Sequence, residues 1–172
     1  MFYAKSLANI FFIKNRTPSK PLPLLASNLE HIKAIAHLRE IEQALAKDFW
    51  PGPLTLLCKA KDCVPEAITA DTGKVAVRIS SHKLAQELAH AVDAPLICSS
   101  ANFSGFTPPA KASEIDIDLL KQVQGLILGE TSPKGQLPST IIEVAKDNKI
   151  YMRRHGAISK QMLEDKGWQI ER

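Results

Sequence analysis

Small hydroxyl and amide side chains cluster behind a short apolar run in the middle of the chain. Residues 94–98 read Ala-Pro-Leu-Ile-Cys and lead into four polar side chains: Ser99, Ser100, Asn102 and Ser104. Such side chains compete with the backbone for hydrogen bonds and favour turns, and ligands of α/β proteins bind beyond the carboxyl ends of strands. The stretch indicates a site for a small polar ligand, although an ordinary Ser/Asn/Gly loop accounts for the same composition.

Other polar side chains stand beside predicted strands and are candidates for the same site. They are Lys14 with Arg16, Thr55 after a Pro-Gly-Pro turn, and Ser139 with Thr140. A lysine and an arginine two residues apart combine a point charge with a planar fork, which can hold different oxygens of one polyphosphate. The hydroxyls can orient a small amino acid or a nucleotide through neutral hydrogen bonds.

Arg78 is the one charged residue in the strand-like stretch 75–79. On the buried side of a strand it needs a partner, because an unpaired buried charge is costly, and that partner can be a ligand. On the solvent side it implies no function. The alternation of residues leaves both orientations open.

The sequence lacks the motifs of several other chemistries. It contains neither the phosphate-binding loop G-x-x-x-x-G-K-[ST] nor the dinucleotide-binding fingerprint G-x-G-x-x-G. No His/Cys pair has the spacing of metal ligands, so no metal-binding residue is predicted. A serine nucleophile needs a base within reach, and of the candidates His82, His90 and His155 the first two fall on an ordinary helix. The candidate residues are therefore suited to hold substrates in position and to stabilise developing charge, which nucleotidyl and phosphoryl transfer require.

Hydrophobic periodicity predicts the elements that position these residues. Helices are predicted over residues 4–14, 38–49, 81–92, 113–122 and 158–166. Strands are predicted over residues 22–26, 54–60, 75–79, 125–129, 139–144 and 150–153. The last two strands form a hairpin, and residues 167–172 form a tail. Helices that alternate with strands indicate an α/β domain with a mixed sheet.

Local signals refine three of these elements. Ser27 and Glu30 form a capping box, which starts a further helix that ends near residue 36. Pro21 and Pro23 restrict strand 22–26 to a sheet edge. Ser81 caps the helix over residues 81–92, and its spacing turns four apolar side chains inward: Leu84, Leu88, Ala89 and Val92.

Composition fits one domain with a substantial core, since the chain has 172 residues of which 45% are hydrophobic. No apolar run is long enough to cross a membrane, and the first residues lack a secretory signal pattern, so we expect a cytoplasmic protein without a membrane partner. Cys58, Cys63 and Cys98 are odd in number, which favours reduced thiols. A net charge of +4 is compatible with phosphate-bearing partners.

Six short motifs occur in order along most of the chain: Lys14-Asn-Arg16, Trp50-Pro-Gly-Pro-Leu-Thr55, Val75-Ala-Val-Arg78, Ser99-Ser-Ala-Asn-Phe-Ser-Gly105, Pro138-Ser-Thr-Ile141 and Arg154-His-Gly156. The ordered set resembles the YrdC-like family of threonylcarbamoyl-adenylate synthases of the TsaC type. The resemblance implies a YrdC-like twisted mixed sheet, flanked by helices, around a basic cavity.

The resemblance also implies a reaction. Members of this family join L-threonine, bicarbonate and ATP, which is accompanied by Mg²⁺, into threonylcarbamoyl-AMP with release of pyrophosphate. A tRNA threonylcarbamoyl-transferase complex then passes the threonylcarbamoyl group to the adenosine at tRNA position 37. Members are also associated with double-stranded RNA, which a basic concave face would suit.

Site residues carry over by their motif positions. Six resemble ATP-binding residues, of which the first two are the catalytic pair: Lys14, Arg16, Thr55, Ser100, Asn102 and Arg154. Three resemble the group that binds threonine and its carbamate: Arg78, Ser99 and Ser139. The resemblance pairs Arg78 with the threonine carboxylate. It requires no enzyme nucleophile, because the carbamate oxygen itself attacks the α-phosphate.

The sequence departs from the family at its start. Family members begin with a strand, a helix and a Pro-Thr-(Glu/Asp)-Thr-Val-Tyr-Gly-Leu segment that this sequence does not contain. We therefore expect a single YrdC-like domain over residues 1–172, shortened at its N-terminus. Two alternatives follow: a catalytically impaired double-stranded RNA or nucleotide-binding module of the same fold, and a carbamoyl-adenylate module of the hydrogenase-maturation type, which is usually part of a much larger chain.

Overall fold

The computed structural model describes residues 4–129 and 137–171. Its helices are α1 (Ala4–Ile13), α2 (Leu29–Ile35), α3 (Glu40–Phe49), α4 (Glu66–Thr69), α5 (Lys83–Ala91), α6 (Ile117–Leu120) and α7 (Lys160–Glu164). Its strands are β1 (Leu24–Ala26), β2 (Ala36–His37), β3 (Leu54–Ala60), β4 (Lys74–Ile79), β5 (Leu96–Ile97), β6 (Thr140–Val144), β7 (Ile150–Arg154) and β8 (Ile170–Glu171). In these two ranges no helix combines the length and the apolar character needed to cross a membrane.

Within the described ranges, eight strands form one mixed sheet in the order β5-β1-β4-β3-β6-β7-β8, with β2 paired to β3. Strand β3 runs antiparallel to β4 and parallel to β6, and β6 forms an antiparallel hairpin with β7. The predicted α/β class and the predicted hairpin are confirmed. Because β3 and β6 begin on the side where β4 and β7 end, loops from four strands meet there.

Aliphatic side chains of the central strands form the core. Leu54 and Leu56 of β3, Val77 of β4 and Ile142 of β6 are each at most 1% exposed, and Leu45 of α3 joins the same cluster. Burial of one such side chain contributes about 1.5–3 kcal/mol. This continuous apolar centre holds the strand ends that carry the candidate site.

A Trp-Pro-Gly-Pro turn ends α3 and directs the chain into β3. A Cβ at Gly52 would lie 2.2 Å from the carbonyl oxygen of Phe49, so this close approach requires glycine. The Trp50 indole N–H donates to the carbonyl of Leu54 at 2.7 Å. The turn therefore fixes the first residues of β3, and with them the position of Thr55.

The structure corrects two predictions around β1. The segment predicted as an edge strand lies inside the sheet, between β5 and β4. Pro21 and Pro23 precede the short strand, so they remove no N–H from its ladder. Asn28, not Ser27, caps α2: its Oδ1 accepts from the His31 amide at 2.8 Å, while the Ser27 hydroxyl lies 3.2 Å from His31 Nδ1.

Three further elements differ from their predicted form. Helix α5 begins at Lys83, and the hydroxyl of Ser80, not of Ser81, accepts the His82 amide at 3.1 Å. The helix predicted over 113–122 is a short 3-10 turn followed by the four-residue α6. The predicted C-terminal tail contains β8, which pairs in parallel with β7.

Apolar side chains predicted to be buried are exposed in two places. Leu88 of α5 and Val92, which follows α5, are both predicted on the inner face of the helix over 81–92, but they are 39% and 54% exposed. Residues 125–129, predicted as a strand, have no strand partner in the described part of the chain. Within that stretch Leu126, Ile127 and Leu128 are 50% to 68% exposed. Periodicity alone does not determine burial here, because burial requires an element that packs against the apolar face.

Glu143 of β6 is buried between two cations. Its carboxylate accepts hydrogen bonds from Lys74 of β4 and Arg153 of β7, and the residue is 8% exposed. Burial alone would raise the pKa of Glu143, but these bonds and charges outweigh it and hold the pKa below its ordinary value of 4.5. A carboxyl with a depressed pKa stabilises the fold above its unfolded-state pKa, and this stabilisation is lost as the pH falls through the folded-state pKa.

We expect Glu143→Gln to lower the free energy of unfolding by about 1–2 kcal/mol at neutral pH, which is a fall in Tm of about 2–8 °C. The difference from the wild type should shrink as the pH falls below 4.5, because Glu143 of the unfolded wild-type chain then takes up a proton, and it should be smallest once the pH is also below the folded-state pKa. Thermal melts by circular dichroism at neutral and acidic pH measure the loss of stability and its dependence on pH. Glu164→Gln removes an exposed α7 ion pair and is the matched control. A loss of stability that is the same at neutral and acidic pH would contradict the role of Glu143 as an ionised partner of Lys74 and Arg153.

Candidate active site

A cavity of about 730 Å³ opens beside the strand ends that meet the loop after β5. Six residues predicted from the sequence lie on its wall: Thr55, Arg78, Ser99, Ser100, Ser139 and Arg154. The other three predicted residues, Lys14, Arg16 and Asn102, are not among its described lining residues. The structure thus brings most of the predicted set to one place.

Strand register puts three of these side chains on one face of the sheet. The antiparallel register of β3 and β4 pairs Leu56 with Val77, and its continuation by one residue along each strand brings Thr55 and Arg78 to the same face. Thr55 pairs in turn with Ile141 of β6, and Ile141 pairs with Arg154 of β7 across a register shift between Ile141 and Ile142, so the Arg154 side chain is located by its hydrogen bond to Ser139 and not by regular alternation. Residues in register on neighbouring strands point to the same face. Arg78, Thr55 and Arg154 therefore converge although they are far apart in the sequence.

Ser139, just before β6, is held by two side chains. Arg154 donates from Nη2 to Ser139 Oγ at 2.9 Å, and from Nη2 and Nε to the Ser139 carbonyl oxygen at 2.8 and 3.0 Å. The Thr55 hydroxyl lies 2.8 Å from Ser139 Oγ. These contacts preorganise the Ser139 hydroxyl at the cavity wall.

Two guanidinium groups share the cavity with a thiol. Burial raises the pKa of Cys98, and the charge and hydrogen bond of Arg78, with the charge of Arg154, offset only part of that rise. Burial also lowers the pKa of Arg154, and the neighbouring charge of Arg78 lowers it further. Two like charges at close range are stabilised by an anion placed between them.

Lys14 contacts residues 99–105, here called the Ser-rich loop, and Arg16 contacts the segment that precedes β1. Lys14 is 7% exposed, and its Nζ donates to the carbonyl oxygens of Ser100 and Asn102. Burial and the nearby charge of Arg16 lower the pKa of Lys14. Arg16 donates from Nη2 to the carbonyl of Pro21 at 2.7 Å, and burial lowers the pKa of Arg16. Lys14 thus joins the end of α1 to the loop that carries Ser100.

The same loop buries two polar atoms that have no partner among the described residues, Asn102 Oδ1 and Ser104 Oγ. The Asn102 side-chain nitrogen donates to the carbonyls of Phe103 and Phe106 at 2.9 and 2.6 Å. The Ser104 amide donates to the Lys14 carbonyl at 2.9 Å. Unpaired buried oxygens are costly, so this loop has hydrogen-bonding capacity that a ligand can use.

Four cations of the candidate site form no ion pair with any residue that the structure describes: Lys14, Arg16, Arg78 and Arg154. Other arginines of the chain are paired, since Arg39 contacts Glu42 and Arg153 contacts Glu143. Partly buried cations without carboxylate partners are typical of sites that bind anions.

Sequence reasoning missed the apolar part of the wall. Pro108, Pro109, Ile115 and residues 126–128 also line the cavity, as does Cys98. The sequence predicts residues 126–128 within a strand and not at a ligand site. Only Cys98 could have been identified from the sequence, because it directly precedes Ser99 and the polar residues that follow.

Comparison with known proteins agrees with the motifs. The family model named for Sua5, YciO and YrdC, with the description "Telomere recombination", matches residues 1–156. A Methanocaldococcus jannaschii protein, provisionally named a threonylcarbamoyl-AMP synthase, is 33% identical over 160 residues, which are 92% of this chain and 73% of that protein. The Pyrococcus abyssi threonylcarbamoyl-AMP synthase is 32% identical over 152 residues, which are 88% of this chain and 44% of that protein.

A solved structure supports the same assignment. The crystal structure of P. abyssi Sua5 complexed with L-threonine matches with a TM-score of 0.88 at 29% identity and covers 98% of this chain. The match covers 50% of the Sua5 chain, so this sequence spans about half the length of that relative. With a family model over nearly the whole chain and the same fold, this chain belongs to the Sua5/YciO/YrdC family.

Proposed function

We propose that this chain is an L-threonylcarbamoyladenylate synthase, which makes threonylcarbamoyl-AMP and pyrophosphate from L-threonine, bicarbonate and ATP. The observation that carries the proposal is the convergence of Arg78, Arg154 and Ser139 on one cavity, where neither arginine has a carboxylate partner among the described residues. Relatives named threonylcarbamoyl-AMP synthase, and the threonine complex of P. abyssi Sua5, support this choice of substrates.

Arg78 is proposed to bind the carboxylate of threonine. A guanidinium fork matches a carboxylate at two points, which gives a charge-assisted contact with defined orientation. The hydroxyls of Ser99 and Ser139 are proposed to donate to carboxylate or carbamate oxygens of the same substrate. This end of the cavity would thus bind a small amino acid through one charge pair and two hydroxyls.

The Ser-rich loop and its cations are proposed to bind ATP. Lys14 uses two of the three N–H donors of its ammonium on backbone carbonyls, which leaves one for a phosphate oxygen. Arg16 lies close enough to lower the pKa of Lys14, and the two cations together would stabilise pyrophosphate as it leaves. Ser100, Asn102 and Arg154 complete the proposed nucleotide contacts.

The proposed reaction needs no nucleophile from the protein. The threonine amine combines with bicarbonate to form a carbamate with loss of water. A carbamate oxygen then forms a bond to the α-phosphorus of ATP, while the bond from that phosphorus to the bridging oxygen breaks and pyrophosphate leaves with the electron pair. The protein contributes orientation of the two reactants and fixed positive charge near the leaving group.

Magnesium is proposed only as the ion that accompanies ATP. In residues 4–129 and 137–171 no group of three or more His, Cys, Asp or Glu side chains is placed to hold a metal ion. None of the described lining residues of the cavity is acidic. Mg²⁺ commonly takes much of its coordination from substrate phosphates and water, so this donor set fits an ion whose ligands would come mainly from ATP. When bound, magnesium offsets charge on the phosphates.

Pyrophosphate release tests the proposal. Supplied with ATP, Mg²⁺ and bicarbonate, the chain should release pyrophosphate only when L-threonine is also present, because the attacking oxygen belongs to threonine carbamate. Lys14→Met should slow release at least tenfold, through loss of one charge at the phosphates. Lys83→Met, an exposed lysine of α5, is the matched control. Release without threonine, or none with it, contradicts the proposal.

The proposed product requires a second enzyme. Threonylcarbamoyl-AMP is a mixed anhydride, so an acyl acceptor must consume it. We propose that a tRNA threonylcarbamoyl-transferase complex is that partner and tRNA position 37 the acceptor. The net charge of +4 would favour contact with tRNA or double-stranded RNA, and such binding should weaken as salt concentration rises.

A further inference from the structure

Thr55 has a buried hydroxyl with a single partner. The residue is 1% exposed, and among the described residues its Oγ1 contacts only Ser139 Oγ, at 2.8 Å. A buried O–H that donates to nothing loses its hydrogen bond to water without replacement. Either hydroxyl can donate in this contact. Thr55 is the buried partner, whereas Ser139 is only half-buried and can donate into the cavity, so we infer that the Thr55 O–H is the donor.

Ser139 Oγ therefore accepts from two donors. The second is Arg154 Nη2 at 2.9 Å, and a guanidinium can donate but cannot accept. A serine hydroxyl has two lone pairs and one hydrogen. With both lone pairs occupied, only the hydrogen of Ser139 is left for a ligand in the cavity.

We propose that Thr55 is a positioning residue that makes Ser139 an obligatory donor to a carboxylate-type oxygen of threonine or its carbamate. The proposal rests on the proposed function, and it moves Thr55 from the nucleotide contact that the family resemblance implies to a role through Ser139. An anionic oxygen accepts the Ser139 hydrogen, whereas a ligand group that must donate finds no free lone pair there. The Thr55 hydroxyl thus contributes to substrate selectivity through Ser139, although the residue also lies on the cavity wall.

A double-mutant cycle tests this role. Thr55→Val removes the hydroxyl and keeps the branched shape, and we expect it to raise the KM for threonine or for bicarbonate about 10- to 30-fold. Which of the two KM values rises identifies the oxygen as carboxylate or carbamate. The ATP KM should change by less than about threefold. In a Ser139→Ala background, Thr55→Val should add less than about twofold, because its effect passes through Ser139.

Two further variants separate positioning from folding. Thr55→Ser keeps the hydroxyl and should recover most of the loss caused by Thr55→Val. Thr69→Val removes another buried threonine hydroxyl, one that donates to the Glu66 carbonyl at 3.0 Å away from the cavity, and should leave all three KM values within about twofold. Thermal melts of every variant report whether the fold is intact.

The outcomes distinguish this proposal from the proposed function. Additive losses in the cycle, or a Thr55→Ser variant as impaired as Thr55→Val, overturn the role of Thr55. A wild-type chain that binds threonine but releases no pyrophosphate contradicts the proposed function alone, and calorimetric threonine affinity then takes the place of KM in the same cycle. A wild-type chain that binds no threonine overturns both.

Discussion

Replacement of Arg78 by alanine is expected to raise the KM for L-threonine about 30- to 150-fold, while the KM for ATP changes less than about threefold. The change corresponds to about 2–3 kcal/mol, the range of charge-assisted hydrogen bonds at a partly buried site. Arg78 has no ion pair in the described part of the chain, so the proposed carboxylate is its charge partner. Initial rates of pyrophosphate release at varied threonine and ATP measure both constants.

The lysine variant at the same position sharpens this test. Arg78→Lys keeps the charge but loses the planar fork, so its threonine KM should fall between those of the wild type and the alanine variant. Lys83→Ala removes an exposed cation of α5 and should leave both constants unchanged. Equal increases in the two KM values for Arg78→Ala would mean that Arg78 supports the cavity as a whole, which contradicts carboxylate binding.

Gly156→Ala is expected to lower the free energy of unfolding by about 2–3 kcal/mol and to reduce pyrophosphate release at least tenfold. A Cβ at Gly156 would lie 2.3 Å from the Pro138 carbonyl oxygen and 2.6 Å from the Thr140 backbone nitrogen. Both neighbours are backbone atoms, so one chain segment must move. Ser139 lies between them in the sequence, and its hydroxyl would leave its position beside Arg154.

A second glycine provides the control for this variant. Gly125 has nothing within 4 Å of the position a Cβ would take, so Gly125→Ala should change the Tm by less than about 2 °C and leave activity unchanged. Thermal melts and pyrophosphate assays of the two variants, made side by side, give the comparison. A Gly156→Ala protein with wild-type stability and turnover would show that the backbone approach at Ser139 is not required.

The central strands were predictable because local signals agree with their tertiary setting. Strand β3 follows the Pro-Gly-Pro turn at residues 51–53 and has the bounds expected from its apolar run. The stretch 125–129 has a similar apolar run between two glycines, yet Leu126, Ile127 and Leu128 are exposed. Strand β3 pairs with β4 and β6, whereas residues 125–129 pair with no described strand. Local sequence does not reveal which other elements pack against a stretch.

Six of the nine predicted site residues lie on one cavity, but their geometry could not be predicted from the sequence. The orientation of Arg78 depends on the register of β4, which pairs Arg78 with Leu25 of β1 and Val77 with Leu56 of β3. The contact between Thr55 and Ser139 joins residues 84 positions apart and requires parallel pairing of β3 with β6. Burial of Lys14 depends on α1 meeting the Ser-rich loop. Each of these contacts is non-local, so no local motif predicts it.

The most direct measurement is mass spectrometry of the nucleotide formed from ATP, L-threonine and ¹³C-labelled bicarbonate. We expect threonylcarbamoyl-AMP that carries the label in its carbamate carbon, disappears when threonine is omitted, and falls in yield for Arg78→Ala at low threonine concentration. A chain that binds double-stranded RNA but forms no labelled nucleotide at any threonine concentration would contradict synthase activity and identify an RNA-binding module of the same fold.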